Sequence, residues 1–273
     1  MMVEVLVHFV APALVGVLIG IASGLLGIGG GTVMVPIFRL AFGMSATMST
    51  ATSLFAIIPT SISGAISHVK GKTCIPALGI AAGLGGACLS PVGVWLAQLS
   101  PDWLVMLAAA LIIGYSAINM FKKAFKLRLA CQPVAEADAS ASSDDSPLSR
   151  KQLLQGAAIG LVAGLASGYV GVGGGFIMVP LMLSIIGIPM RKASGTSLIA
   201  VMILAIPGVI EQGIIGNINY LAGIAIVIGT IPGAVVGARL VTKVPERTLR
   251  LLFGCFLIVA AVMLVLNEVG IFG

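Results

Sequence analysis

The sequence has few charged residues and few aromatic residues. Charged residues make up 9% of the 273-residue chain, against roughly 25% in a soluble domain. A chain with so few polar groups cannot cover a water-facing surface, and its mean hydropathy is +1.16. The scarcity of charge therefore excludes a soluble globular domain and predicts an integral membrane protein.

Cysteine and histidine are also scarce, and neither occurs in a metal-binding pattern. The four cysteines form no CxxC pair and there are only two histidines, so neither a zinc site nor a disulfide framework is indicated. The net charge of +6 comes from basic residues in short loops between apolar stretches. That placement predicts an orientation in the lipid bilayer rather than a nucleic-acid partner. No cofactor is expected.

The chain is an internal duplication. Shifting it by 144 residues aligns residues 20–36 with residues 164–180, and 11 of these 17 positions are identical. We therefore divide the chain into a first transmembrane repeat (1–129), a linker (130–149) and a second transmembrane repeat (150–273). The linker is acidic and rich in Ser and Ala, which is typical of a flexible segment.

Eight apolar stretches predict the membrane helices. They cover approximately residues 5–43, 46–68, 74–98, 103–121, 151–189, 190–213, 217–241 and 248–268. A spanning helix needs roughly 20 residues, so the first stretch of each repeat is long enough for two crossings. One helix followed by a re-entrant segment would also fit. The chain begins without a basic n-region, so the first stretch should remain as a helix.

The basic residues favour ten crossings. With the linker in the cytoplasm and two crossings per long stretch, only Arg39 of the 15 basic residues falls outside. With one crossing per long stretch, a larger set falls outside, namely Arg39, Arg191, Lys192, Arg239, Lys243, Arg247 and Arg250. The positive-inside rule therefore predicts five helical segments per repeat and both termini outside.

An odd number of crossings makes two similar repeats insert in opposite directions, as in many secondary transporters. The predicted fold class is an all-α polytopic membrane protein. It consists of two inverted-topology repeats of about five helical segments each, with Gly-rich broken or re-entrant helices.

Clustered glycines interrupt the middle of each long stretch. We call residues 27–31 the first glycine break and residues 171–175 the second. Adjacent glycines in a helix interior cost about 1 kcal/mol each relative to alanine and permit positive φ, so we expect new helices to start at Thr32 and Phe176. The amides at a helix N-terminus are free donors with partial positive charge, and lipid offers them no partner. Two facing breaks would bind a small anion.

The candidate substrate-binding residues recur in both repeats. They are Gly29, Gly30, Gly31, Thr32, Gly173, Gly174, Gly175 and Phe176 at the breaks, Ser23 and Ser167 before them, and Thr52, Ser53, Thr196 and Ser197 in the following helices. Hydroxyl groups can donate to an anion, or to a carbonyl of their own helix, and both alternatives stay open.

Other features have structural interpretations. Gly16-x3-Gly20-x3-Gly24 and its counterpart from Gly160 to Gly168 are small-residue faces for helix packing. His68, its counterpart Gln212, and Glu211 end their helices and are expected at wet membrane interfaces. The glycine motif follows a membrane helix rather than a strand, so a dinucleotide site is excluded. No enzyme is expected.

The two GxGGG-x-x-x-V-P motifs, Gly27 to Pro36 and Gly171 to Pro180, resemble the hallmark of the sulfite exporter TauE/SafE family. The resemblance covers nearly the whole chain. It implies a multi-pass transporter of the cell inner membrane, with sulfite, related sulfur oxyanions or organosulfonates as substrates.

The leading hypothesis is a secondary transporter that exports such an anion by alternating access. One alternative is a transporter of a cationic or neutral metabolite, held by carbonyl groups of the breaks. Another is a non-transport membrane scaffold in which the glycines only pack helices. The sequence leaves open the coupling ion, the exact substrate and whether the chain forms a homo-oligomer.

Overall fold

The computed structural model describes residues 11–129 and 149–268, and helices are the regular secondary structure of that part of the chain. They are α1 (Ala11–Leu26), α2 (Gly31–Phe42), α3 (Ala46–Lys70), α4 (Pro76–Leu99), α5 (Asp102–Leu129), α6 (Arg150–Val170), α7 (Gly175–Leu181), α8 (Met190–Ile215), α9 (Tyr220–Leu240) and α10 (Glu246–Glu268). Each repeat contributes five helical segments, as predicted. Most of the predicted linker, 130–148, lies outside the described residues.

Seven of these helices are long and apolar enough to cross a membrane, and three segments are shorter. Within residues 11–129 and 149–268, the short ones are α1, α2 and Gly175–Ile186. The last of these is α7 continued by the π-helical turn Met182–Ile186. At 1.5 Å per residue, a 12-residue helix such as α2 measures about 18 Å, against a hydrocarbon core of about 30 Å. The second half of each long stretch is therefore shorter than a full crossing, which fits the re-entrant alternative.

The two repeats exchange their first helices. Helix α1 of the first repeat packs along α9 of the second, and α6 of the second repeat packs along α4 of the first. The pairing obeys the 144-residue register, because α1 corresponds to α6 and α9 corresponds to α4. Neither repeat therefore completes its own core.

The small-residue faces are the contact surfaces of these exchanged helices. A Cβ at Gly20 would fall against the backbone of Thr230 and Ala234, and a Cβ at Gly164 would fall against the backbone of Gly86. Glycine is required because any side chain would push the paired helices apart. The packing interpretation of these faces is confirmed.

Helices α3 and α8 occupy equivalent places in the two repeats and cross the centre of the molecule together. Gly64 of α3 lies beside Leu198 near the start of α8, and Gly208 near the end of α8 lies beside Leu54. The two helices therefore run antiparallel. Opposite directions of equivalent helices are what inverted repeats require.

Carboxylates accept hydrogen bonds from the first residues of α3 and α8. Asp102 accepts hydrogen bonds from the Ala46 amide and the Thr47 hydroxyl, each at 3.3 Å. Its counterpart Glu246 accepts one from the Met190 amide at 3.2 Å. A negative charge at a helix N-terminus is stabilising, so each carboxylate holds the first turn of a central helix.

Candidate functional site

Both glycine breaks are real interruptions of a helix. Helix α1 ends at Leu26 and α2 begins at Gly31, while α6 ends at Val170 and α7 begins at Gly175. Six break glycines have positive φ between +69° and +85°, namely Gly27, Gly29, Gly30, Gly171, Gly173 and Gly174. Residues with a Cβ rarely adopt this conformation. The new helices begin one residue earlier than the predicted starts.

The two breaks touch each other. A Cβ at Gly31 would lie 2.7 Å from the carbonyl oxygen of Val172, and a Cβ at Gly175 would lie 2.9 Å from the Cα of Ile28. Residues 27–31 and 171–175 are all buried. Because neither glycine has a side chain, the two backbones meet directly in the interior.

Helix length places the meeting point deep in the apolar layer. Gly31 lies against Ile57 in the middle of α3, whereas Phe42, at the other end of α2, is four residues from the start of α3. Helix α2 therefore runs back along α3 from the break to a corner about 18 Å away. In the second repeat, the segment Gly175–Ile186 contacts α8.

The breaks leave several buried backbone donors without an acceptor among the described residues. These are the amides of Gly29, Gly30, Gly31 and Thr32 in the first break, and of Gly173, Gly174 and Phe176 in the second. Gly175 differs, because its amide donates to Gly173. Most buried amides in proteins are paired, so this group of donors calls for a ligand or water.

Four buried hydroxyl groups next to the breaks also lack a partner among the described residues. They are Ser23, Thr32, Ser61 and Ser167, each with 0% exposed surface. The Cβ atoms of Ser23 and Ser167 lie 3.6 and 3.4 Å from where side chains at Gly30 and Gly174 would begin. Sequence reasoning missed Ser61, because its counterpart is Ala205 and only recurring hydroxyls were sought.

Ser53 and Ser197 brace the breaks from the opposite repeat. The Ser197 hydroxyl donates to the Gly27 carbonyl at 2.6 Å, and the Ser53 hydroxyl donates to the Gly171 carbonyl. Each serine also approaches a carbonyl of its own helix, Thr50 or Ser194. The single hydrogen of each hydroxyl is thus shared between two protein carbonyls, so neither serine has a hydrogen free for a ligand.

Thr52 and Thr196 are not brought to the breaks. The Thr52 hydroxyl accepts a hydrogen bond from the Asn219 amide at 3.0 Å, just before α9. The Thr196 hydroxyl accepts one from the Ile75 amide at 2.9 Å, just before α4. Both threonines therefore join the repeats at helix starts.

Two apolar side chains pack against both breaks. A Cβ at Gly29 would lie 2.9 Å from Val201, and a Cβ at Gly173 would lie 2.8 Å from Ile57. Ile57 and Val201 are fully buried and are equivalent under the 144-residue shift. Sequence reasoning missed this pair, because an apolar residue in an apolar helix carries no local signal. Together they cover Gly29 and Gly173 with apolar side chains.

His68 connects the end of α3 to the end of α1. It is fully buried, with Nε2 at 2.8 Å from the Gly24 carbonyl oxygen and Nδ1 at 2.7 Å from the Thr73 hydroxyl. A carbonyl only accepts, so Nε2 is the donor. The Gly24 carbonyl has no helical partner because α1 ends two residues later, and His68 satisfies it. The predicted wet position of His68 is therefore wrong, as it is for the buried Gln212.

Replacing His68 by alanine should destabilise the protein by ~1–3 kcal/mol, because the Gly24 carbonyl would stay buried without a donor. His68→Gln should cost less, because glutamine keeps an N–H donor and is the residue at the equivalent position 212. The midpoint of thermal denaturation in detergent measures both. Equal midpoints for His68→Ala and the unmodified protein would contradict the capping role.

A multi-pass helical protein whose two repeats meet through broken helices in the membrane interior has the architecture of a membrane transporter. The chain belongs to the sulfite exporter TauE/SafE family, whose family model matches residues 12–264.

Curated relatives resemble the chain over nearly its full length. The probable membrane transporter protein YunE of Bacillus subtilis is 27% identical, over 97% of this chain and 99% of that protein. A probable membrane transporter protein of Haemophilus influenzae is 30% identical, over 93% of this chain and 97% of that protein. The protein is thus a membrane transporter. No solved structure matches the chain.

Proposed function

We propose that the protein is a secondary transporter that exports sulfite, or a related sulfur oxyanion or organosulfonate, by alternating access. The single observation that carries the proposal is the set of unpartnered buried amides at the two glycine breaks. Each such donor costs about 1–3 kcal/mol when it is left without an acceptor. An anion with several oxygens offsets that cost, and helix N-termini favour negative charge.

The substrate site in this proposal combines amides and hydroxyls. The amides of Gly29, Gly30 and Gly31, and those of Gly173 and Gly174, donate to the oxygens of the anion. Thr32 and Phe176 contribute their first-turn amides, and the hydroxyls of Ser23, Ser61 and Ser167 donate from the preceding and neighbouring helices. The absence of Lys or Arg from this set favours binding weak enough for release.

The balance of donors and acceptors argues against a cationic substrate. A cation would need free carbonyl oxygens at the breaks, yet the Gly27 and Gly171 carbonyls already accept hydrogen bonds from Ser197 and Ser53. The Gly24 carbonyl is likewise occupied by His68. The carbonyls of Gly27 and Gly171 are thus occupied while the amides of Gly29 and Gly30 are free, and the free amides favour an anion in this proposal.

In this proposal, alternating access uses the packing at the centre of the molecule. Ile57 and Val201 are fully buried and pack against Gly29 and Gly173, as expected of an occluded state. Movement of one repeat against the other would shift these side chains and open the site to one side. The antiparallel α3 and α8, which carry the two residues, make the two opening movements equivalent.

The membrane potential favours export of an anion. An inside-negative potential of about 100 mV drives one negative charge outward with about 2.3 kcal/mol. The predicted orientation places the linker in the cytoplasm and both termini outside. A substrate gradient alone would then suffice for outward flux, and a coupling ion would add to it.

Flux of labelled sulfite from proteoliposomes tests the proposal. We expect efflux that rises with an inside-negative potential and that methanesulfonate inhibits by competition, because both anions offer oxygens bound to sulfur. Liposomes without protein and competition by choline serve as controls. Absence of protein-dependent sulfite flux, or inhibition by choline rather than by methanesulfonate, would refute the anion proposal.

A further inference from the structure

A groove of about 800 Å³ lies on the outer surface between α3 and α9, away from the glycine breaks. Its lining residues are Pro59, Ile62, Ser63, Ile66, Ser67, Lys70, Gly71, Ile231, Val235, Ala238, Arg239 and Thr242. We call it the α3–α9 groove. It is open to the surroundings of the protein, so in a membrane its contents come from the lipid phase.

The walls of this groove match one acyl chain in length and polarity. Ile62, Ile66 and Ile231 are exposed along it, and the Ser63 hydroxyl is turned inward onto the Ile231 carbonyl at 2.9 Å. From Pro59 to Lys70 the groove follows α3 for 12 residues, or about 18 Å. That distance is slightly more than half of the ~30 Å hydrocarbon core.

One end of the groove is cationic. Lys70 and Arg239 both line it at the C-terminal ends of α3 and α9, and both are exposed. Neither forms an ion pair with another described residue, and the lining contains no acidic side chain. Two cations without an ion-pair partner among the described residues therefore end the apolar groove, each in the last turn of a helix long enough to span the bilayer.

The cationic pair is not a product of the duplication. The residues equivalent to Lys70 and Arg239 are Ile214 and Trp95, so the related surface between α8 and α4 ends in apolar side chains. Ile214 and Trp95 are also exposed. Of these two equivalent surfaces, only the α3–α9 groove therefore carries basic side chains. Its basic end is the one that the positive-inside rule assigns to the cytoplasmic side.

We propose that the α3–α9 groove binds one anionic phospholipid. Its phosphate lies between Lys70 and Arg239, which extend from the helix ends toward the headgroup layer. One acyl chain fills the groove along Ile62, Ile66 and Ile231, since hydrocarbon is what surrounds this surface. Basic side chains at a membrane surface contribute attraction for anionic lipids. The site is independent of the transported substrate.

Native mass spectrometry of the full-length protein, titrated with phosphatidylglycerol or phosphatidylcholine, tests this site. We expect one tightly retained phosphatidylglycerol molecule per protein, and weaker binding of phosphatidylcholine. The double variant Lys70→Gln/Arg239→Gln should lower phosphatidylglycerol affinity ~30-fold, from two lost basic contacts. Lys243→Gln/Arg247→Gln is the matched control, because it removes the same charge from exposed positions outside the groove and should leave binding unchanged.

Two further experiments distinguish a bound lipid from other occupants of the groove. Glycerol phosphate, which has the headgroup phosphate without acyl chains, should bind far more weakly than phosphatidylglycerol; equal binding would overturn the lipid assignment. Cross-linking between cysteines introduced at Ile62 should not yield a dimer; a lipid-sensitive dimer through this face would assign the groove to a second copy. Equal phosphatidylglycerol affinity in the two double variants would also overturn the proposal.

Discussion

Replacing Gly30 or Gly174 by alanine should lower anion flux ~10- to 100-fold while the protein still folds. That factor corresponds to the loss of one hydrogen bond to a charged group, about 1.5–3 kcal/mol. Both glycines have positive φ, so an added methyl group strains the break and turns its amides. The nearest atoms to the new Cβ are side-chain carbons of Ile19 and Met34 at 3.1 Å for Gly30, and the Ala163 carbonyl oxygen at 3.0 Å for Gly174, so shifts of a few tenths of an ångström accommodate the methyl group.

Gly43→Ala and Gly187→Ala are matched controls for this backbone strain. They also have positive φ, +61° and +78°, but no atom lies within 4 Å of their added Cβ. Each should cost about 1–2 kcal/mol of stability and leave flux nearly intact. The measurement is labelled sulfite efflux per folded protein in proteoliposomes. Full flux in Gly30→Ala, or equal losses in the controls, would contradict the role of the breaks.

Replacing Gly164 by valine should prevent assembly of the folded protein. The Cβ at this position would overlap the backbone of Gly86, with the Cα of that residue 2.5 Å away. Backbone atoms cannot move aside as flexible side chains can, so α6 and α4 would have to separate. The expected result is aggregated or degraded protein, measured as the monodisperse fraction in size-exclusion chromatography.

Gly114→Val is the control for Gly164→Val. Gly114 also lies inside a helix, α5, but no atom lies within 4 Å of its added Cβ. Valine there should leave the monodisperse yield unchanged, because valine is no worse a helix former than glycine. A monodisperse Gly164→Val protein with a normal melting midpoint would contradict the packing role of the exchanged helices.

These two experiments separate the transporter from a scaffold. A scaffold in which every glycine only packs helices predicts that Gly30→Ala damages assembly, as Gly164→Val does. The transporter proposal predicts that Gly30→Ala loses flux in intact protein. The difference arises because Gly164 faces another backbone, whereas Gly30 faces the side chains of Ile19 and Met34.

The sequence predicts what depends on composition and local conformation. The helical segments, the glycine breaks and the packing faces around Gly20 and Gly164 follow from hydropathy, positive φ and small-residue spacing. The lengths of α2 and the segment after Gly175 did not follow, because apolar stretches do not reveal how far each half of a bent pair extends.

Contacts between the repeats lie beyond sequence reasoning. That Ser197 supports Gly27, and that Thr196 instead holds the start of α4, depends on how two distant helices face each other. His68 was misplaced for the same reason, because its partner Gly24 becomes available only after α1 breaks. Recurrence at 144 residues identifies equivalent positions, and the fold assigns their partners.

The exchange of first helices has a consequence for biosynthesis. Gly16 of α1 packs against Ile226 of α9, so a ribosome adds some 210 residues between making the two surfaces. At about 5–20 residues per second, α1 spends roughly 10–40 s in the bilayer before α9 packs against its small-residue face. The nascent first half therefore stays immature until the second half is inserted, and premature termination anywhere before α9 leaves a fragment that cannot mature.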